Sequence, residues 1–183
     1  LPIVLFSMHY NTANIGIITA IYPAVWGIGQ LFTGKMSDVY SKKSMLFWGM
    51  LLQGIAIITI PFCSVFYQLV LVSGLLGFGT ALVYPTFLSA IAGATNPFQR
   101  AESIGVFRLW RDLGYAIGAL LTGIIADLFN LEGAILAVAA LTLFSAMVVE
   151  QRMFCKVKAI KITPWLLSLA RWKRPIKVIT MSR

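Results

Sequence analysis

The chain has 183 residues, of which 59% are hydrophobic and 11% are charged, and its mean hydropathy is +0.86. Soluble domains are about half apolar and about a quarter charged, so this composition excludes a water-soluble globule. The formal net charge is +9, with 15 Lys and Arg against six Asp and Glu. Cys63, Cys155 and the single histidine, His9, provide neither a disulfide framework nor a metal cluster, so we expect no metal and no cofactor.

Five apolar segments are long enough to cross a membrane as helices, which takes about 20 residues each. They are residues 15–34, 44–65, 67–93, 101–128 and 131–149, and the apolar stub at 1–6 has the character of the end of another helix. The apolar runs are continuous, whereas the strands of a membrane barrel alternate residue by residue. We therefore predict an all-α membrane protein, a bundle of five full transmembrane helices plus a stub within residues 1–150, followed by a basic tail over 151–183.

The positive charges of the chain are confined to one side of the predicted bundle. The turns at 35–43 and 94–103 hold Lys35, Lys42, Lys43 and Arg100, and nine further basic residues lie in the tail. The opposite turns, at 7–14, 63–66 and 129–133, contain no Lys or Arg. By the positive-inside rule this asymmetry predicts a multi-pass protein of the cell membrane with a cytoplasmic C-terminus. It also argues against nucleic-acid binding, because the positive charge belongs to inner turns and tail.

Within the tail, two interpretations stay open. Thr163 and Pro164 resemble the start of a helix, and apolar and basic residues then mix as in a helix that lies at an anionic lipid surface. The alternative is a disordered basic tail.

Two segments share the pattern T-G-x-x-x-D, at 33–38 and 122–127, and each closes a predicted helix. Three membrane crossings separate them, so one copy ends inside and the other outside. This arrangement is expected of an inverted repeat, in which a three-helix unit is duplicated upside down. The same fourth span carries Gly114-x-x-x-Gly118, a common helix-packing motif.

The segment from Gly34 to Leu46, GKMSDVYSKKSML, resembles the cytoplasmic signature loop of the major facilitator superfamily. Val39 and Ser41 depart from the Arg and Gly of the family pattern. The stretch at 100–129 is similar to the eleventh helix of prokaryotic family members. The resemblance implies that residues 1–6 end helix seven, that the five spans are helices eight to twelve of the C-terminal half, and that the N-terminal half is absent.

The turn after the first span and the start of the fourth span are predicted to form a cytoplasmic latch. Its candidate residues are Gly34, Asp38, Lys42, Lys43, Glu102 and Arg108. Glycine permits the close approach of another helix, a carboxylate is favoured at a helix N-terminus, and lysines hold a turn at the membrane surface. A cluster of charges that forms in one state and breaks in another would bias alternating access.

Arg111 and Asp112 are charges that the sequence places within reach of the bilayer. Only residues 113–126 are uninterrupted after them, about 21 Å of helix against a hydrocarbon core of about 30 Å. Arg108 and Asp112 are four apart and can pair on one helix face. Two interpretations stay open, an inner-cavity substrate or proton site and, as the preferred one, a part of the latch with Glu102 and Asp38.

Polar and aromatic side chains form one face of the first span and recur in the third and fourth. The candidate cavity-lining residues are Thr19, Tyr22, Trp26, Gln30, Tyr84, Arg111, Asp112 and Tyr115. Spacings of three and four put the first four on one side of a helix. A polar face is unfavourable against lipid, so we expect it to face a neighbouring helix or a central cavity. Pro23 and Pro85 can kink the helices beside Tyr22 and Tyr84. Helices eight, ten and eleven line the transport path in the family that the chain resembles.

The function implied by the resemblance is secondary transport by alternating access, in which two halves rock about a site at the midplane. We expect a small-molecule substrate, drug efflux or metabolite transport, with coupling to protons as one option, and no enzymatic activity. The lipid bilayer and the N-terminal half are the expected partners. The alternative is a non-transporting membrane subunit, a multi-helix anchor for an assembly.

Overall fold

The computed structural model describes residues 2–153, apart from the side chains of residues 3, 38 and 39. The regular elements of this range are α1 (Pro2–Ser7), α2 (Thr12–Val39), α3 (Lys42–Thr59), α4 (Phe66–Ala94), α5 (Arg100–Leu128) and α6 (Leu131–Arg152), with 3-10 turns at Ile60–Phe62 and Pro97–Gln99. The five helices α2 to α6 are each long and apolar enough to cross a membrane. This confirms the predicted all-α bundle of five spans and a stub. The helix start expected at Thr163 and Pro164 lies outside the described residues.

Two helix ends differ from the sequence expectation. α3 stops at Thr59 instead of continuing to residue 65, because Pro61 follows within a 3-10 turn and disfavours helical geometry before it. α2 continues to Val39, so the turn predicted over 35–43 is mostly helix. The connection to α3 is short, and the Ser41 hydroxyl caps α3 by accepting a hydrogen bond from the Ser44 amide at 3.4 Å.

α4 is the central helix and packs most extensively against α2 and α3. The close approach depends on glycine. A methyl group on Gly77 would lie 2.5 Å from the Tyr22 carbonyl oxygen of α2, and one on Gly79 would lie 3.0 Å from the Gly49 carbonyl oxygen of α3. Small residues at these two seams therefore let the helix backbones meet. At Gly74 the nearest atom would be 3.8 Å away, an ordinary packing distance.

Hydrogen bonds between helices reinforce the seam of α2 and α4. Pro85 has no amide hydrogen, so it leaves the Ala81 carbonyl without its usual helical donor. The buried Thr33 hydroxyl of α2 donates to that carbonyl at 2.6 Å. Ser73 of α4 donates in the other direction, to the Ile18 carbonyl at 2.8 Å. Hydroxyl groups of one helix thus donate hydrogen bonds to backbone carbonyls of the other, in an environment without water.

An apolar core closes the end of the bundle near α1. Leu5 of the stub is fully buried among side chains of α2, α3 and α4, including Ile18, Ala56 and Leu69. The chain turns from α1 into α2 at His9, whose φ of 61° is in the left-handed region. Histidine is one of the residues that tolerates this region best, so His9 has a turn-forming position and no further feature that points to a site.

α5 is packed differently from the other spans, since none of its residues is buried. It contacts α6 and, over a smaller surface, α4. A methyl group on Gly114 or Gly118 would meet no atom within 4 Å. The glycine motif of this helix is therefore not used for packing within the described part of the chain.

Candidate functional site

Three aromatic rings from two helices meet inside the bundle. Tyr22 and Trp26, one turn apart on α2, stack with ring centroids 6.3 Å apart. Trp26 also meets Tyr84 of α4 edge to face, with centroids 6.0 Å apart. Helical spacing placed the two α2 residues on one face, and the structure brings Tyr84 onto that same face.

Arg111 of α5 joins these rings from a third helix. One terminal nitrogen of its guanidinium donates to the Tyr84 hydroxyl at 3.1 Å, and Cζ lies 5.5 Å from the centroid of that ring. Nε and the other terminal nitrogen both contact Oδ1 of Asp112 at 2.8 Å. We call Tyr22, Trp26, Tyr84, Arg111 and Asp112 the aromatic–arginine cluster.

The sequence allowed a pair between Arg108 and Asp112 on helical spacing, and the structure pairs Asp112 with Arg111 instead. The reason lies on the neighbouring helix, because Tyr84 holds the Arg111 guanidinium where it can reach back to the adjacent carboxylate. Arg108 is exposed and has no ion-pair partner among the side chains that the structure describes.

Two polar residues that the sequence analysis missed extend the cluster. Thr80 of α4 accepts hydrogen bonds from the Tyr22 hydroxyl at 3.3 Å and from Nε2 of Gln53 of α3 at 2.7 Å. The Thr80 hydroxyl donates in turn to the Leu76 carbonyl at 2.9 Å. An amide in the middle of an apolar span is costly and marks a site by default, so Gln53 could have been found from sequence.

The aromatic–arginine cluster lies deep within the spans. Arg111 is 11 residues after Arg100, where α5 begins, and Tyr84 is ten residues before Ala94, where α4 ends. At 1.5 Å per residue these separations are about 15 to 17 Å, within helices of 29 residues that are longer than a hydrocarbon core of about 30 Å. An arginine and a carboxylate at such a depth need either partners or water, and the cluster provides the partners.

The remaining cavity candidates are not brought into these contacts. The Thr19 hydroxyl donates to the Ile15 carbonyl of its own helix at 2.7 Å. Gln30 is partly buried one turn beyond Trp26. Tyr115 shares the Arg111 face of α5 and its side chain is 70% exposed. Their assignment to a cavity stays a prediction.

The latch candidates occupy the other functional region, the end of the bundle with the 40–41 and 95–99 connections, which we call the basic end. Lys42 donates to the Ser89 carbonyl near the C-terminus of α4 at 2.6 Å, where a cation is favoured. Lys43 pairs with Glu150 of α6 at 3.1 Å, a contact that the sequence analysis missed.

The other latch candidates show no shared contact within the described side chains. Glu102 is exposed, and a methyl group on Gly34 would meet no atom within 4 Å. The Asp38 side chain lies outside the described part. Arg111 and Asp112, for which the latch with Glu102 and Asp38 was the preferred interpretation, pair with each other, and Arg111 donates to Tyr84. Within the described side chains neither forms an ion pair with Glu102.

Two grooves open elsewhere on the bundle, and neither shares a residue with the aromatic–arginine cluster. One, of about 370 Å³, is almost entirely apolar and runs between α3 and α4 past Cys63. Burial raises the pKa of the Cys63 thiol, which donates to the Thr59 carbonyl at 3.1 Å. The other, of about 410 Å³, lies at the basic end beside Lys43, Trp48 and Glu150.

Five membrane-length helices with a polar cluster between them define a multi-pass membrane protein. The sequence profile of the major facilitator superfamily matches residues 1–158. The chain therefore belongs to the major facilitator superfamily, as the loop after α2 indicated.

Curated relatives with transport or drug-resistance names are longer than this chain. An inner membrane transport protein of Escherichia coli, YnfM, is 26% identical over 80% of this chain and 35% of its own length. A lincomycin resistance protein of Streptomyces lincolnensis is 29% identical over 71% of this chain and 27% of its own. A probable chloroplastic anion transporter of Arabidopsis thaliana is 22% identical over 74% and 27%. The chain thus spans about a third of the length of the relatives that it matches.

Proposed function

We propose that this chain forms one half of a secondary transporter, in which the aromatic–arginine cluster contributes to a solute site at the membrane midplane. The observation that carries the proposal is the Arg111–Asp112 pair within the span α5, a helix without a buried residue, where Tyr84 of α4 accepts a hydrogen bond from Arg111. Ionisable side chains inside a membrane are costly and belong to substrate paths by default. Family membership and the transporter names of the relatives support the same function.

A second half of the same family fold is the proposed partner of α5. The exposed apolar side chains of this helix include Leu120 and Leu121, and Gly114 and Gly118 leave space for another backbone. Two halves that rock against each other would open the site to either side in turn. Proton coupling, with Asp112 as the candidate acidic group, is part of this proposal.

The basic end is proposed to face the cytoplasm of a cell membrane, since the positive-inside rule assigns it there. Lys42 and Lys43 tie the start of α3 to α4 and α6 at this end. The proposed latch, with Gly34, Asp38, Glu102 and Arg108, would connect this end to the opposing half in one state of the cycle.

The solute is a small molecule, for which the relatives' names offer two classes, a drug such as lincomycin and an anion. In energised vesicles of a strain that expresses this chain together with the proposed second half, addition of a transported solute should change a pH-sensitive fluorescent signal if transport is proton-coupled. If it is not, the amount of radiolabelled solute inside the vesicles should change. Arg111→Ala and Asp112→Asn should abolish this flux while membrane amounts stay unchanged. Arg152→Gln, an exposed charge at the end of α6, is the matched control.

A non-transporting membrane anchor is the competing function. It predicts that Arg111→Ala lowers the amount of an assembled complex, and that no solute flux depends on this chain. Retained assembly with lost flux supports the transporter, and lost assembly with no flux in the unaltered protein contradicts it.

A further inference from the structure

Trp26 carries a hydrogen-bond donor that has no partner. Its indole nitrogen Nε1 is buried, yet it contacts no acceptor among the described residues. A buried donor without an acceptor loses its hydrogen bond to water and gains none in return, so native structures rarely keep one without a reason. The ring meets two others, stacked against Tyr22 and edge to face with Tyr84.

The groups around Trp26 are rich in donors. The Tyr84 hydroxyl accepts from Arg111, and its own proton has no acceptor among the described residues. The Arg111 guanidinium offers only donors. Asp112 is the one carboxylate of the aromatic–arginine cluster, and its side chain is 60% exposed, against 26% for Arg111. The buried part of the cluster therefore presents donors and positive charge, and the negative charge is at its open edge.

A ligand that complements this arrangement carries acceptor oxygens and a negative charge. A carboxylate matches the planar guanidinium with two parallel hydrogen bonds and can replace Asp112 there. An aromatic body on such a carboxylate would have a ring to pack against, because the Tyr84 ring is 6.0 Å from the Trp26 ring and 5.5 Å from Cζ of Arg111. An organic cation would instead meet the guanidinium at close range, which is unfavourable in a medium of low dielectric constant.

We propose that the aromatic–arginine cluster binds an aromatic carboxylate. The carboxylate of the ligand accepts hydrogen bonds from the Arg111 guanidinium, and a second oxygen of the ligand accepts one from the Trp26 indole N–H. This inference deepens the proposed function and rests on it. It assigns Trp26 as a residue that determines specificity, through its donor as well as its ring.

The test uses the purified protein in lipid nanodiscs, with 4-hydroxybenzoate as the probe and binding followed by calorimetry. Its neutral counterpart 4-hydroxybenzamide should bind at least tenfold more weakly. Trp26→Phe keeps an aromatic ring but removes the donor, and should weaken 4-hydroxybenzoate about tenfold, the loss expected for one donor–acceptor pair. Arg111→Gln should weaken it further. Trp48→Phe, on an exposed ring of α3, is the matched control and should leave binding unchanged.

Equal binding of acid and amide would overturn the proposal, as would an unchanged affinity in Trp26→Phe. Binding of benzyltrimethylammonium in place of 4-hydroxybenzoate would overturn it as well, in favour of a cation site on Asp112. If no aromatic carboxylate binds while another solute shows flux that depends on Arg111, the substrate class is wrong and the transporter stands. If no solute shows flux that depends on Arg111, the proposed function is wrong, and the inference that rests on it is wrong as well.

Discussion

The seam between α2 and α4 and the exposed face of α5 differ in how closely a helix packs against its neighbours. At the seam, Gly77 admits the α2 backbone and Thr33 donates to a carbonyl that Pro85 leaves free. On α5 no residue is buried and glycines face open space. The only polar contact between side chains of α4 and α5 in the described range is the one from Arg111 to Tyr84.

We interpret the closely packed seam as the structural scaffold and the exposed face of α5 as part of the proposed solute site. The seam is held by short contacts that tolerate little change, so α2, α3 and α4 form the closely packed part of the bundle. α5 is attached to α4 through one polar contact and a limited apolar surface, and it also contacts α6. This arrangement suits the proposed role of a helix that lines a path and meets a second half. The following predictions test that division, from the largest expected effect to the smallest.

Gly77→Leu should destabilise the 183-residue chain severely, by about 3 kcal/mol or more, because its side chain would have to displace the α2 backbone near Tyr22. Gly118→Leu places the same side chain on α5, where no atom is close, and should change stability by less than about 0.5 kcal/mol. Unfolding of both variants in mixed detergent micelles, followed by circular dichroism, gives the comparison. Equal losses would contradict the division.

Thr33→Val should cost about 1 kcal/mol, since it leaves the Ala81 carbonyl without a donor. Pro85→Ala restores a backbone N–H to that carbonyl, so the same Thr33→Val change in the Pro85→Ala background should cost much less. A double-mutant cycle measured by unfolding in micelles isolates this coupling. An additive cycle would show that the hydroxyl and the proline act independently.

Lys43→Gln should lower stability by less than about 1 kcal/mol, because the pair with Glu150 is partly exposed and screened by salt. Glu150→Gln should have a similar effect, and the double variant should cost no more than either single one. The difference from the unaltered chain should shrink as the salt concentration rises in the same unfolding assay. A loss that is independent of salt would assign these side chains a packing role instead.

Cys63 should react slowly with maleimide at neutral pH in a Cys155→Ser background. Burial raises the pKa of this thiol, so less of the reactive thiolate is present than in the unfolded chain. The corresponding contribution to stability is full below the unfolded pKa and is lost as pH rises through the higher folded pKa. Labelling rates compared with and without denaturing detergent over a pH series measure the effect, and equal rates would contradict a buried thiol.

Much of the fold could be predicted from the sequence because continuous apolar runs and their breaks define spans. The end of α3 was misjudged, since residues up to 65 remain apolar although Pro61 already ends the helix. Helical spacing also identified Tyr22 and Trp26 as one face, because that relation lies within a single helix.

Contacts between helices could not be predicted from apolar runs or from helical spacing. The partner of Asp112 depends on Tyr84 of another span, and Lys43 meets Glu150 across more than a hundred residues of chain. Thr80 joins Tyr22 and Gln53 only once three helices are packed. These relations depend on tertiary packing, for which spacing along one helix contains no information.

Cysteine accessibility tests the central claim, that the Arg111 face of α5 lines an aqueous path, most directly. Tyr115→Cys and Leu141→Cys replace side chains of equal exposure, 70% on α5 and 71% on α6. In the protein in its membrane, with Cys63 and Cys155 replaced by serine, Tyr115→Cys should react rapidly with a charged, water-soluble methanethiosulfonate reagent. Leu141→Cys should stay unmodified because lipid covers it. Equal reactivity at both positions, or modification of Leu141→Cys alone, would contradict the account.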